Sequence, residues 1–463
     1  MTQDKKVPIK RFSIFGLFGS RDVEIPFNSN VNILIGENGL GKTTILNAIY
    51  YTLTCKFYRL GSIQFERIRI EFSSGQRVEI NKENLSYYMD SEINDRFHSN
   101  GVIDYIEQHL SEGEKEALYN HYHYQSEDVK HRKTFQTLVY RISEKSPYAP
   151  SMIHRALLSM FESNNRQLEE IKLKIRKEIK SDVLYFPTYR RIEEELHNLG
   201  TGKIELNKDD KRLIQFGMED VQETFNKVIL NIKNSALDGF SSITGEMLSQ
   251  YVDGLNEIDE EIKNRIQPDI LKIILERVGK NIDPTYKERI IDLVNSKEIF
   301  HKEEQYKYLI NFLSNLIKSY DQQKNLDNLI KGFASVCNGY LNAKKVDYNE
   351  SKVEISVVQK NGQEIGLKNL SSGEKQIISL FAKIFLESEN DVIVLFDEPE
   401  LSLSIEWQRM LLPDVLKSGK CSMLLSVTHS PFIFENELDL LAEDMNRYVR
   451  DRIYDENGKT KRE

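Results

Sequence analysis

One stretch constrains the fold more than any other: "ILIGENGLGKTTILNAIY", residues 33–50. An apolar run ends at Ile35, a loop with three glycines (Gly36, Gly39 and Gly41) follows, and the residues from Thr43 to Thr54 read as a helix. The spacing Gly36-x4-Gly41-Lys42-Thr43 matches the phosphate-binding loop (P-loop), whose glycines let backbone N–H groups close around phosphate oxygens. A strand, this loop and a helix in succession predict an α/β core.

The loop supplies a set of candidate nucleotide ligands. Lys42 is expected to neutralise the β- and γ-phosphate oxygens, and the Thr43 hydroxyl to bind Mg²⁺. ATP and Mg²⁺ are therefore the expected cofactors. The candidates in this loop are Gly36, Asn38, Gly39, Gly41, Lys42, Thr43 and Thr44.

A second motif, "VIVLFDEPE", occupies residues 392–400. Five apolar residues predict a buried strand, so Asp397 and Glu398 are expected at its carboxyl end. Two adjacent acids after a strand can also be an exposed loop or a helix cap, but the apolar run and the preceding P-loop favour a catalytic pair. Asp397 is the candidate metal ligand, and Glu398 the carboxylate that polarises the attacking water.

The next apolar strand, "SMLLSVTHSPFIF" at 422–434, ends in Thr428-His429-Ser430. A lone histidine is usually structural. One that follows the strand after an Asp-Glu strand can reach the γ-phosphate and respond to its presence. His429 is therefore a candidate catalytic residue.

A further anion pocket is predicted in "LKNLSSGEKQIISLFAKIFL", residues 367–386. Small residues open an amphipathic helix there, an arrangement in which free N–H groups and a positive helix end attract anions. The candidates are Ser371, Ser372, Gly373 and Glu374. The chain thus has two phosphate-binding helix starts more than three hundred residues apart.

Periodicity outlines the domains. Alternating residues before Gly36 predict two strands leading into a buried third, and a hairpin is expected to turn at Ser73-Ser74-Gly75. Residues 1–90 and 340–440 are expected to form one discontinuous core, with strand periodicity returning at "VEISVVQ" near 353. Residues 90–340 read as a mostly helical insertion with one core strand near 182–190, and residues 441–463 as a short C-terminal tail.

Composition bounds the function. No apolar run approaches the roughly 20 residues of a membrane span, and the first residues show no signal peptide, so a cytoplasmic protein without membrane contact is expected. The net charge of −9 argues against a dominating nucleic-acid surface. The basic clusters at 130–133 and 172–177 are explained by solvated helix faces.

Four motifs in this order resemble the ABC-type ATPase heads of the SMC and OLD families, over roughly residues 9–80 and 350–435. The resemblance implies an α/β ABC-type P-loop head with a large helical insertion. It also implies that the signature helix of one subunit caps the ATP held by another. The second anion pocket would then serve a partner's nucleotide, in a homodimer or a higher multiple of dimers.

Within that superfamily the chain resembles the PtuA-like ATPases of Septu and retron-associated anti-phage systems. The resemblance rests on "GENGLGKTT", "YFPTYRRIEEE", "FGMEDV", "LSSGEKQIISLFAKI" and "DEPELSL". It implies a regulatory scaffold that controls a partner HNH nuclease according to its nucleotide state and is not a nuclease itself. In a retron setting, a reverse transcriptase with its nucleic acid would be a further partner. The alternative is a DNA repair or recombination ATPase that acts directly on DNA.

Three positions depart from that pattern or leave alternatives open. Ser372 replaces the second glycine of transporter signatures, as in SMC and OLD proteins. "ELSLSIEWQ" lacks the aspartate of the common D-loop, which leaves open whether ATP is hydrolysed or only bound. Gln215 is either the lid glutamine that faces the nucleotide or an ordinary surface residue.

Overall fold

The structure is a computed structural model that divides into two compact units, residues 1–215 with 390–463 and residues 216–389. These boundaries differ from those expected near 90 and 340, and the signature segment falls in the second unit. The residues that the structure describes are 7–37, 39–86, 102, 105–106, 137, 139–144, 146–154, 156, 166–187, 218–254, 260–278, 282–388 and 390–452.

The strands are numbered in chain order. They are β1 (Ile9–Leu17), β2 (Arg21–Pro26), β3 (Val31–Ile35), β4 (Arg67–Phe72), β5 (Arg77–Asn81), β6 (Asp182–Phe186), β7 (Lys344–Asn349), β8 (Glu354–Gln359), β9 (Val392–Asp397), β10 (Cys421–Thr428), β11 (Ala442–Asp444) and β12 (Val449–Asp451).

The helices are numbered in the same way. They are α1 (Lys42–Leu53), α2 (Phe57–Gly61), α3 (Lys82–Ser86), α4 (Arg166–Glu178), α5 (Met218–Asp253), α6 (Glu260–Arg265), α7 (Pro268–Val278), α8 (Pro284–Asn295), α9 (Glu298–His301), α10 (Glu303–Tyr340), α11 (Ser372–Ala382) and α12 (Ile405–Lys417). A π-helical turn, Lys383–Glu387, continues α11, and 3-10 turns occupy Leu367–Asn369, Pro431–Ile433, Asp439–Leu441 and Met445–Tyr448.

A parallel sheet in the first unit positions the candidate site. Its strand order is β11-β3-β10-β9-β6, so β10 lies between the strand before the P-loop and the strand that ends in Asp397. All six residues of β9 are buried, which explains their continuous apolar run. Because parallel strands end at the same edge, this order brings the P-loop, Asp397 and His429 together.

The second sheet of this unit contains antiparallel pairs, in the order β12-β2-β1-β4-β5. The expected hairpin is confirmed, with Gly75 at φ +91° between β4 and β5. Helix α1 packs in a core shared by both sheets, where Phe12, Ile49 and Leu395 are almost fully buried. One face of α4 packs into the same core, through Leu168, Ile171 and Ile175 at a helical spacing of three and four residues.

The second unit is mostly helical. Its main apolar cluster joins residues of α7, α8 and α10, among them Leu271, Val294 and Leu313. The strand expected near 353 is confirmed as β8, but its partner is β7, with which it forms a separate two-stranded sheet after α10. Among the described residues, no helix combines the length and the apolar character needed to cross a bilayer.

The stretch expected to be a short tail takes part in the fold up to residue 452. Strand β11 pairs with β3 and β12 pairs with β2, so this segment adds an edge strand to each sheet of the first unit. Met445 between them is fully buried. Strands of three residues are too short to show an alternating pattern, which explains the difference from the expectation.

Candidate nucleotide-binding site

The P-loop requires glycine at two described positions. Gly39 and Gly41 have φ values of +87° and +80°, a region that side chains disfavour. A Cβ at Gly41 would also lie 2.8 Å from Cε2 of Phe18. The backbone at Gly41 can therefore turn directly into α1. Asn38 lies outside the described residues.

Lys42 is the first residue of α1, and its side chain is folded into the site. It is 6% exposed, and its Nζ donates to the Glu37 carbonyl at 3.0 Å. Nζ also lies 2.6 Å from Nε2 of His429. Because an ammonium group has no lone pair, Nε2 is the acceptor. Burial lowers the pKa of Lys42, against the opposite effect of the Glu398, Asp397 and Glu400 carboxylates.

Thr43 connects the P-loop to the end of β9. Its Oγ1 donates to Oδ2 of Asp397 at 2.7 Å, and Asp397 is almost fully buried. A hydroxyl and a carboxylate oxygen at this separation are hard oxygen ligands of the kind that Mg²⁺ binds. Thr44 follows in the first turn of α1.

Glu398 sits at the turn that follows β9. Its φ is +52°, unusual for a residue with a side chain, and its N–H donates to the Val427 carbonyl at 2.8 Å. Its Oε1 lies 3.5 Å from Nε2 of His429. Burial, together with the charge of Asp397, raises the pKa of Glu398 above its ordinary value of 4.5. The predicted pair of acids and the predicted histidine thus lie together.

Glu400 belongs to the same cluster and was not among the sequence candidates. It is 8% exposed, and its Oε1 accepts from the N–H groups of His429 and Ser430 at 2.9 and 3.2 Å. The only signal in the sequence is a third acid, two residues after Glu398 in "DEPE". Its contacts with the end of β10 depend on strand order, which the sequence pattern does not specify.

The signature segment lies in the second unit, where Ser371 caps α11. Its Oγ accepts from the N–H of Glu374, whose Oε2 in turn accepts from the N–H of Ser371 at 2.8 Å. Lys344 of β7 donates to both carboxylate oxygens of Glu374, at 3.0 and 2.7 Å. Burial opposes ionisation, but the bonds from Lys344 and Ser371 hold the pKa of Glu374 below its ordinary range.

The Glu374 carboxylate is therefore engaged within its own unit. Ser371 and Ser372 are exposed, whereas Gly373 is buried. We propose that Glu374 shapes the loop and that the exposed serines meet the phosphate. Of the four candidates predicted in this segment, the two serines would then contact the nucleotide. Gln215 lies outside the described residues.

A model of the AAA ATPase domain family matches residues 9–434, which include every described motif of the site. The chain belongs to this family. The match covers the P-loop, the parallel strands β3, β6, β9 and β10, and the acidic pair after β9. The fold is accordingly that of an ABC-type P-loop ATPase head with a large helical region.

Individual relatives of this AAA-family ATPase are distant. The Retron Vc95 probable ATPase of Vibrio cholerae is 25% identical over 87% of the chain. The chain spans 66% of that relative's length. The DNA replication and repair protein RecF of Lachnospira eligens is 24% identical, over 60% of the chain and 70% of RecF. One of these relatives is named as a probable ATPase and the other as a DNA replication and repair protein.

Among solved structures, the chain is similar to the Smc head domain from Pyrococcus furiosus with an extended coiled coil, bound to the C-terminal domain of ScpA. The identity is 12%, the TM-score is 0.31, and the match covers 92% of this chain and 91% of that one.

Proposed function

We propose that this AAA-family ATPase binds ATP with Mg²⁺ and works as a nucleotide-dependent switch in an anti-phage complex. The observation that best supports the proposal is the convergence of two pairs, Lys42 with His429 at 2.6 Å and Thr43 with Asp397 at 2.7 Å. These residues come from three separate segments of the chain. Their combination of a cation, a hydroxyl, a carboxylate and an imidazole suits a polyphosphate with its metal ion.

The residues present fit both groups. Gly39 has open space where a side chain would lie, and the positive φ of Gly41 leads the backbone directly into α1, whose first N–H groups can bind phosphate oxygens. The Thr43 hydroxyl and the Asp397 carboxylate would hold Mg²⁺. When bound, Mg²⁺ supplies positive charge that neutralises the phosphate oxygens.

The protein's own groups would divide the remaining work. Lys42 would bind the β- and γ-phosphates, and His429 would contact the terminal phosphate. Glu398 would orient the attacking water and accept its proton, a task for which a carboxylate with a raised pKa is better suited than an ordinary one. Because the D-loop aspartate is missing, we expect slow turnover.

A second copy of this chain would complete each nucleotide-binding site. Ser371 and Ser372 at the start of α11 are exposed, although Ser371 makes both bonds of the capping box with Glu374. We propose that this serine pair approaches the γ-phosphate bound by another subunit. ATP would then hold two heads together, and its loss would release them.

The effector would be supplied by another protein. We propose an HNH nuclease whose access to its substrate depends on nucleotide state, and a reverse transcriptase with its nucleic acid in a retron setting. The similarity to the Retron Vc95 probable ATPase supports a retron context, and the resemblance to PtuA-like ATPases supports the nuclease partner. The helical second unit offers a surface for docking.

A second candidate function is direct action on DNA in repair or recombination. The similarity to RecF favours it. A DNA-binding assay distinguishes the two functions. An ATPase that acts directly on DNA should bind DNA as the purified protein, and its rate of ATP hydrolysis should change when DNA is added.

The proposal is tested by assaying Mg²⁺- and Mn²⁺-dependent cleavage of nucleic acid by the lone protein and by the protein co-expressed with its neighbouring gene product. We expect no cleavage by the lone protein and ATP-sensitive cleavage by the pair. Cleavage by the lone protein that persists after removal of contaminants would refute the division of labour. Cleavage by the pair that is the same at every ATP concentration would refute the switch.

A further inference from the structure

Glu400 lies where the turn after β9 meets the end of β10. Glu400 as a residue is 8% exposed, and a single oxygen of its carboxylate, Oε1, accepts from the two consecutive N–H groups of His429 and Ser430. Charge-assisted bonds to backbone N–H groups are stronger than neutral ones, and they compensate for the burial of the charge. The backbone of His429 is thereby tied to the turn that carries Glu398.

A second connection runs parallel to the first. The Gln408 side chain of α12 donates from Nε2 to the Leu403 carbonyl at 3.0 Å and accepts from the Ser430 hydroxyl at 2.7 Å. This contact holds the turn and Ser430 from the outer side. Gln408 does not bind the backbone N–H groups of His429 and Ser430, which donate to Glu400. The Ser430 N–H also donates to the Thr428 hydroxyl at 3.0 Å.

The position of the His429 ring depends on this arrangement. Nε2 of His429 lies 2.6 Å from the Lys42 ammonium and 3.5 Å from Oε1 of Glu398. The ring is carried by the backbone at His429, which lies one residue beyond the end of β10 at Thr428. A shift of that backbone by about 1 Å would remove the ring from hydrogen-bond reach of a group at Lys42.

We propose that Glu400 is the positioning residue for His429, and that through His429 it sets the preference of the site for ATP over ADP. The inference rests on the proposed function, because it requires His429 to contact the terminal phosphate. Glu400 makes no hydrogen bond to Lys42 or Thr43, and its charge favours the protonated form of Lys42, which bears on the affinity common to ATP and ADP. It therefore acts on nucleotide choice through the histidine, while the P-loop supplies the affinity common to both nucleotides.

The test compares dissociation constants for Mg-ATP and Mg-ADP in the full-length protein and its variants. His429→Ala and Glu400→Ala should each lower the ATP preference by roughly tenfold, the value of about one hydrogen bond to a charged group. ADP affinity should change little. The double variant should match His429→Ala alone, because Glu400 has nothing left to position.

Two further variants guard against a loss of folding. Glu400→Gln keeps the shape of the side chain and one acceptor oxygen but removes the charge. It should reduce the preference for ATP over ADP in part, and it should cause no further reduction when combined with His429→Ala. Glu435→Ala removes an exposed carboxylate just beyond the same loop, which pairs with Arg409, and should leave the preference unchanged. Thermal unfolding of each nucleotide-free variant reports whether it is folded.

The outcomes separate this inference from the function it rests on. A wild-type protein that binds neither nucleotide would refute the proposed function. A protein that binds ATP and depends on His429, but keeps its ATP preference in Glu400→Ala and Glu400→Gln, would refute only the positioning role. Losses that add up in the double variant would also refute it, because they would show that Glu400 acts independently of His429.

Discussion

The Thr43 hydroxyl donates a 2.7 Å hydrogen bond to Oδ2 of Asp397, although 354 residues separate the two in the chain. The contact joins the start of α1 to the end of β9 and defines the site as one that combines a P-loop with an acidic strand end. It also predicts at which residues a substitution should change the effect of Mg²⁺ on ATP binding.

Thr43→Ala should reduce the effect of Mg²⁺ on ATP affinity, because the hydroxyl that would bind the metal is removed. We expect roughly tenfold weaker binding of ATP in Mg²⁺ and little change in its absence. Titration calorimetry with and without a chelator measures both values. Thr43→Ser keeps the hydroxyl and is the matched control. Equal losses with and without Mg²⁺ would argue against a metal ligand at this position.

Glu398→Gln should leave ATP binding intact and lower any hydrolysis, because the amide keeps the shape of the side chain but cannot accept the proton. Phosphate release under saturating ATP is the measurement. Hydrolysis at the wild-type rate would exclude Glu398 as the catalytic base.

The raised pKa of Glu398 also predicts a pH effect on stability. A carboxylate whose folded-state pKa lies above its unfolded value binds more protons in the folded state, so stability falls as pH rises from 4.5 through the folded-state pKa. Glu398→Gln removes that loss. Its melting temperature should exceed that of the wild type at pH 7, with the difference shrinking toward pH 5. A constant difference across this range would contradict the assignment.

Sequence pattern predicted which groups the described part of the chain brings together at one edge of the parallel sheet. Gly36 to Thr44, Asp397, Glu398 and His429 each follow an apolar run that forms a strand of one parallel sheet, and such runs are readable without a structure. The resemblance to ABC-type heads then supplied their order around a nucleotide. The described members of this set lie together as expected.

Other parts depend on contacts that no local pattern encodes. Glu400 meets His429 across 29 positions, and Lys344 meets Glu374 across 30. Strands β11 and β12 have three residues each and are formed by pairing with β3 and β2 rather than by their own periodicity. The boundary at residue 216 lies close to the start of α5 at Met218.

A buried ion pair in the second unit should be essential for stability. Arg277 of α7 donates to Oδ1 of Asp327 of α10 at 2.6 Å, and their side chains are 3% and 0% exposed. Tyr348 of β7 donates to the same oxygen. Arg277→Ala leaves a buried charge without its partner, which typically costs about 3–5 kcal/mol.

Denaturant unfolding measures that loss. Arg265→Ala is a suitable control, because this arginine pairs with Asp321 but its side chain is about half exposed. The free energy of unfolding of Arg265→Ala should lie within about 1 kcal/mol of that of the wild type. If Arg277→Ala and Arg265→Ala lost similar amounts of stability, burial of the Arg277–Asp327 pair would not increase its contribution to stability.

The shared site is tested by mixing two defective variants. Ser372→Arg places a long cation in the loop proposed to meet a partner's γ-phosphate, and should abolish ATP-driven pairing of heads while ATP still binds. Mixing it with Lys42→Ala leaves one complete site per mixed dimer, so part of the hydrolysis should return. A Ser372→Arg protein that pairs and hydrolyses ATP normally would contradict a site built from two copies.

The most direct measurement is calorimetric titration of Mg-ATP into the wild type, Lys42→Ala and Lys417→Ala. Lys42 is the buried cation of the P-loop, whereas the Lys417 side chain is 69% exposed at the end of α12. We expect Lys42→Ala to weaken ATP binding by roughly 100-fold, the upper range for a hydrogen bond to a charged group, and Lys417→Ala to bind as the wild type does. Equal ATP affinity in all three proteins would contradict nucleotide binding at this site.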